Sequence, residues 1–162
     1  MIFKTKHNND LYNKLVILSR NNFFYKKLSF EDSFETRIYL IFFFLSLILI
    51  MNKKKKNKPF PQEVFDGIFK YTEFHIREIG YGDVAVNKKM KLLTKVFYDI
   101  LLKLDMSNQS SIQIDKNILK KYFPILDPKN TDLFENILNN FYNYCYELNE
   151  KSIIEGDINF EI

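Results

Sequence analysis

Apolar positions change their spacing several times along this chain, and each change marks an element. In DLYNKLVILSR, residues 10–20, Leu11, Leu15 and Leu18 recur every three or four positions, which predicts an amphipathic first helix. NNFFYKKLSFEDS, residues 21–33, has no such period and reads as a turn whose aromatics dock into a core. From Ile38 to Met51 the run IYLIFFFLSLILIM is apolar at nearly every position, so a helix here has no polar face to offer to water. The pattern predicts a central helix near residues 33–52 with other helices on all sides. Ser33 or Asp32 would cap it, and the lysines after Asn52 would end it in a solvated loop before Pro59 and Pro61.

Pro61 suits a first helical position, and Val64, Phe65, Ile68, Phe69, Phe74 and Ile76 then give a third helix that Gly80 ends. Asn87 reads as the N-cap of a fourth, in which Met90, Leu93, Phe97, Leu101 and Leu104 form a core stripe. Asp115 opens DKNILKKYF, which Pro124 closes. Asp127 and Pro128 open a last long helix with Leu133, Ile137, Leu138, Phe141 and Tyr144 on one face. The tail SIIEGDINFEI has no helical period and reads as extended or frayed. With no internal repeat, the expected fold is all-α, a single compact domain of five to six helices over residues 1–162.

The apolar run also raises a membrane span. Fourteen helical residues reach about 21 Å, against a hydrocarbon core of about 30 Å. The run is short by about two turns, which favours a core helix, although snorkelling by Arg37 and Lys53 narrows the gap. A small single-span protein anchored by residues 38–51 is the alternative expectation.

Composition sharpens this outline. The 162 residues suit one core, and 46% hydrophobic with 17% aromatic residues is too rich for a disordered chain. A net charge of +4 comes mostly from lysine, with a local run at Lys53–Lys58. Dispersed lysine suits attraction to an anionic surface, RNA-rich or lipid, more than base reading, so no specific DNA binding is expected. Part of the Lys, Asn, Ile, Phe and Tyr excess also matches the imprint of an AT-rich genome. The single Cys145 allows no intrachain disulfide, which makes a reducing compartment the default. The amino terminus lacks the apolar stretch and cleavage site of a secretory signal, and is read as part of the mature chain.

Candidate chemistry concentrates in HIREIGYGDVAVNKK, residues 75–89. GYGDVA meets the dinucleotide-loop spacing only loosely, and the residues before Gly80 have a helical period where that loop requires a strand. The reading that remains is a helix corner, with Gly80 left-handed and Gly82 letting the chain pass close to a neighbour. His75 and Glu78, with Glu73 or Asp83, would supply a metal site too poor in ligands, His7 being remote in sequence, so no metal is expected. Cys145 with His75 is a formal nucleophile pair, yet the cysteine lies on an apolar helix face and reads as a buried small group. Glu31, Asp32 and Glu161 read as caps or solvated ends. Arg77, one of three arginines, either clamps Asp83 or faces solvent and stabilises the helix end through its dipole. On residue chemistry the domain is expected to be non-enzymatic and to need no cofactor.

At this corner the sequence resembles the ubiquinol-cytochrome c chaperone family, whose members help cytochrome b mature into respiratory complex III. HIREIGYGDVAVNKKMK is similar to the family's REMG, one residue, GD, a short spacer and a basic helix start, followed by FY at Phe97 and Tyr98. Arg77, Glu78, Gly80, Gly82, Asp83, Lys88, Lys89 and Met90 are the matching positions. Upstream, Tyr12, Arg20, Phe24, Tyr25 and Arg37 are similar to the family's amino-terminal layout, so the resemblance covers about residues 10–104. Departures stand at Asn87, where the family often has Pro or Gly, and at Asp99 and Ile100, where it has Gly-Arg.

The resemblance implies an all-α chaperone with cytochrome b as client and a small partner subunit, and Lys53–Lys58 with Lys88 and Lys89 would favour an anionic surface, that of the ribosome or a peripheral membrane contact. Arg77, Glu78, Gly80, Gly82, Asp83, Lys88 and Lys89 would then hold the corner or touch a partner. The expected place is the cytoplasmic face of the inner membrane in a bacterium, or the matrix face in a mitochondrion. A weaker expectation is an enzyme centred on His75 and Glu78.

Overall fold

The computed structural model describes residues 9–56, 59–104 and 114–162. Among them are eight helices and no strand: α1 (Asp10–Ser19), α2 (Asn22–Lys26), α3 (Phe34–Lys56), α4 (Gln62–Ile79), α5 (Asp83–Leu104), α6 (Lys116–Tyr122), α7 (Pro128–Tyr146) and α8 (Glu150–Ile154). The all-α class and the six expected helices are present. Two five-residue helices join them, each too short to show a period. Asn21 starts α2 by accepting the Phe23 N–H at 2.9 Å, where a turn was expected. Asn149 starts α8 by accepting the Ser152 N–H at 2.8 Å, inside the tail expected to be extended. Beyond α8, Ile158 is buried and Phe160 packs edge-on against Phe141 at 5.3 Å, so this tail closes the core.

α3 is the axis of the fold, packed by α1, α5 and α7, while α4 rests on α1 and α5, and α6 on α7. Ser33 caps it, accepting the Thr36 N–H at 3.2 Å. Leu40, Phe42, Phe43, Phe44, Leu45 and Leu47 are all fully buried, as a helix apolar on every side requires. The helix does not stop at the lysines. It runs 23 residues to Lys56, about 35 Å, so the shortfall in length does not hold and α3 is long enough to cross a bilayer. What distinguishes it from a span is its surroundings, since 72% of its most apolar stretch is buried inside the fold.

The helical lysines have work within the chain. Lys55 donates to the carbonyls of Tyr146 and, at 2.9 Å, Leu148, and lies 5.3 Å from the Tyr146 ring centre. It thereby satisfies carbonyls that the end of α7 leaves without helical partners. Lys56 pairs with Glu150 at 3.0 Å. Residues 57 and 58, the end of the basic run, lie outside the described residues.

Leu11, Leu15 and Leu18 of α1, and Leu93, Phe97 and Leu104 of α5, are buried as their spacing predicts. Phe134 of α7 joins them at the centre of an aromatic cluster, within 5.3 to 6.1 Å of Phe24, Phe30, Phe43 and Phe123. Phe74 of α4 points outward instead, 42% exposed.

Candidate functional site

α4 ends at Gly80, whose φ of 111° and ψ of 9° are left-handed and whose N–H donates to the Arg77 carbonyl at 3.0 Å. A β-carbon makes that conformation costly, which explains a glycine there. Tyr81 and Gly82 complete the corner, and α5 begins at Asp83. Two expectations change here. Asn87 is not the N-cap, because the helix starts a full turn earlier, with the Gly82 carbonyl accepting the Val86 N–H at 2.9 Å. Gly82 is not a close approach, since a β-carbon there would meet nothing within 4 Å.

Arg77 bridges the corner by pairing with Asp83, and also holds Glu73 at 3.1 Å one helical turn back. These carboxylates, Asp83 foremost, hold the guanidinium above its ordinary pKa. Of the two readings of Arg77, the clamp on Asp83 is the one found. Lys89 reaches back to Glu35 in the first turn of α3 at 2.7 Å and lies 4.9 Å from the Tyr81 ring centre. Three of the charged residues in the motif therefore fasten the corner to itself and to α3. Glu78 and Lys88 are exposed.

Glu78 opens onto a cavity of about 410 Å³ between α1, the start of α3 and the end of α4. Tyr12 and Arg20 line it from α1, Asp32 and Arg37 from around the start of α3, and His75 and Glu78 from α4. Tyr12 Oη and His75 Nδ1 share a hydrogen bond of 2.7 Å. Burial, above all, pushes the Tyr12 phenol up to about 12. Arg37 Nη2 pairs with Asp32 at 2.6 Å, while its Nε is buried without a hydrogen-bond partner. Tyr25, which gives its hydroxyl to the Ser19 carbonyl at 2.5 Å, is raised by burial against the opposing charges of Arg37 and Arg20.

The structure thus gathers Tyr12, Arg20, Tyr25 and Arg37 of the amino-terminal segment around the same place that Glu78 reaches from the corner. Sequence reasoning missed the cavity. The available signal was the arginine count, since two of the chain's three arginines face it.

The other candidates separate. Cys145 is 1% exposed, burial pushes its thiol up to about 12, and it does not line the cavity with His75. Among the described residues no three His, Cys, Asp or Glu side chains gather where a metal ion could be held, and His7 lies outside those residues. Asp32 pairs with Arg37 instead of capping α3.

Residues 26–124, more than half of the chain, match the sequence profile of the family described as ubiquinol-cytochrome C chaperone. The match includes the start of α3, the corner and α6. No curated protein and no solved structure gives a significant match. The chain belongs to the ubiquinol-cytochrome C chaperone family.

Proposed function

We propose that this protein is a non-enzymatic assembly chaperone that binds newly made cytochrome b and supports assembly of the ubiquinol-cytochrome c reductase, respiratory complex III. Family membership supplies the chaperone role, and one surface observation supports an apolar client. Around the corner Ile79 is 56%, Tyr81 40% and Val84 78% exposed, and α4 also exposes Phe74. A cluster of exposed apolar side chains edged by charge is what a protein keeps for binding. Its occupant in this reading is an apolar segment of cytochrome b awaiting its place in the membrane.

The same reading puts the protein against an anionic surface, the lipid of the inner membrane or the ribosome that makes the client. Lys88, Lys91 and Lys95 alternate on the outside of α5 with Val84, Leu92, Tyr98 and Leu102, all exposed. Such a basic and apolar face suits peripheral attachment. The corresponding place is the cytoplasmic side of the inner membrane in a bacterium, or its matrix side in a mitochondrion, with a small partner subunit as a further component.

Capture on a tagged full-length copy tests the client. Wild-type protein should retain cytochrome b, and the double change Ile79→Glu and Val84→Glu, at exposed positions, should lose most of it while the fold persists by circular dichroism. Cytochrome b absent from the wild-type capture, or retained equally by the variant, overturns the assignment of client or surface.

A further inference from the structure

We infer that the cavity between α1, α3 and α4 binds the anionic head of a small amphiphile, a phosphate or carboxylate carrying a short apolar tail. Its volume of about 410 Å³ lies in the range of small-molecule sites. Its walls divide by chemistry. Val16, Ile38, Ile41, Phe34 and Ile79 give apolar surface, and Arg20 and Arg37 give two guanidinium groups.

Three observations favour an anion. Arg20 is exposed, lines the cavity and has no ion-pair partner among the described residues. Arg37 lines the cavity with its side chain 37% exposed and is paired with Asp32 through Nη2. An anion in the cavity would meet the exposed part of the Arg37 guanidinium, whose planar donors suit phosphate or carboxylate. The cavity also meets the start of the 23-residue α3 at Ser33 and Phe34, where the helix dipole adds positive potential.

Two carboxylates line the same space and set the sign of the test. Asp32 is engaged by Arg37, whereas Glu78, on the α4 wall, has no ion-pair partner among the described residues and opposes an anion. Removing the Glu78 charge should therefore tighten anion binding, and removing the Arg20 charge should weaken it. A merely structural role for either residue would not give opposite signs. The apolar walls account for the tail, because a bare anion would leave them wet. Anion binding in this cavity is independent of which protein is the client.

Titration calorimetry of the full chain with octyl phosphate, octanoate, inorganic phosphate and octylamine tests it. Octyl phosphate and octanoate should saturate one site, with inorganic phosphate weaker on the order of tenfold or more for want of the tail. Arg20→Gln, an exposed change that leaves the core intact, should weaken octyl phosphate on the order of tenfold, as loss of a charged hydrogen bond does. Glu78→Gln should bind it more tightly. Failure of both amphiphiles to saturate a site overturns the inference, as does equal affinity in both variants or octylamine binding as well as octyl phosphate. Inorganic phosphate binding as tightly as octyl phosphate overturns the amphiphile in favour of a free anion.

Discussion

Lys89 of α5 and Glu35 in the first turn of α3 form an ion pair 2.7 Å long, and the same ammonium lies over the rings of Tyr81 at 4.9 Å and Phe34 at 5.6 Å. The lysine is only 19% exposed, so its long stem and its charge are both used. This contact ties the start of α5 to the central helix.

The pair gives a pH-dependent stability. Its hydrogen bond to Lys89, ahead of an opposing effect of burial, holds the Glu35 carboxyl below its ordinary pKa. A depressed carboxyl stabilises the fold above its unfolded pKa of about 4.3, and loses that contribution as pH falls through the folded value. Glu35→Gln should cost roughly 0.5–1 kcal/mol at pH 7, a half-exposed pair being partly screened by solvent. Urea unfolding of wild type and variant should differ at pH 7 and converge towards pH 2. A difference that persists undiminished at low pH contradicts the role of the charge.

Gly80 and Gly82 should respond differently to alanine. The left-handed backbone at Gly80, φ 111°, opposes any β-carbon, and Gly80→Ala should cost at least about 1 kcal/mol. Gly82 has ordinary φ and open space, so Gly82→Ala should stay within about 0.5 kcal/mol. Urea midpoints of the two variants check the order.

Phe134 has its ring 5.3 Å from Phe123, 5.5 Å from Phe30 and 6.0 Å from Phe24, and is fully buried. Phe134→Ala removes the shared partner of these three rings and should cost about 3–5 kcal/mol, read from urea unfolding. Ile125→Ala, at a position 61% exposed, is the control and should cost little.

Cys145, buried in the last turn of α7, provides a probe of the core. Burial raises its thiol to about 12, above the unfolded value of about 8.5. The neutral thiol therefore stabilises the fold at lower pH, and that contribution declines as pH rises from about 8.5 towards 12. A thiol reagent at pH 8 should label the native chain far more slowly than the urea-unfolded chain. Equal rates would show that Cys145 is accessible.

The sequence was most legible where period and caps agree. Leu11, Leu15 and Leu18, and Asp127 before Pro128, lie as expected because a helix facing one core leaves a fixed spacing and its start needs an acceptor. The Arg77–Asp83 clamp was legible as one of two readings, since six residues across a glycine corner fit the reach of arginine. The end of α3 was not legible. A lysine run ordinarily marks solvent, and here Lys55 and Lys56 find a carbonyl at the end of α7 and a carboxylate in α8. Nor was the cavity, because Arg20, Arg37 and Glu78 meet only when α1, α3 and α4 pack, a fact that no local spacing carries. Asn87 misled because an isolated asparagine before a lysine pair resembles a cap, whereas Gly82 and Asp83 had already started the helix.

A chaperone for complex III assembly should leave a clear deficit when its gene is deleted. Spectroscopic cytochrome b and ubiquinol-cytochrome c reductase activity should both fall sharply in the deletion strain and return when the full chain is supplied. Normal levels of both in cells lacking the protein would rule out a role in complex III assembly.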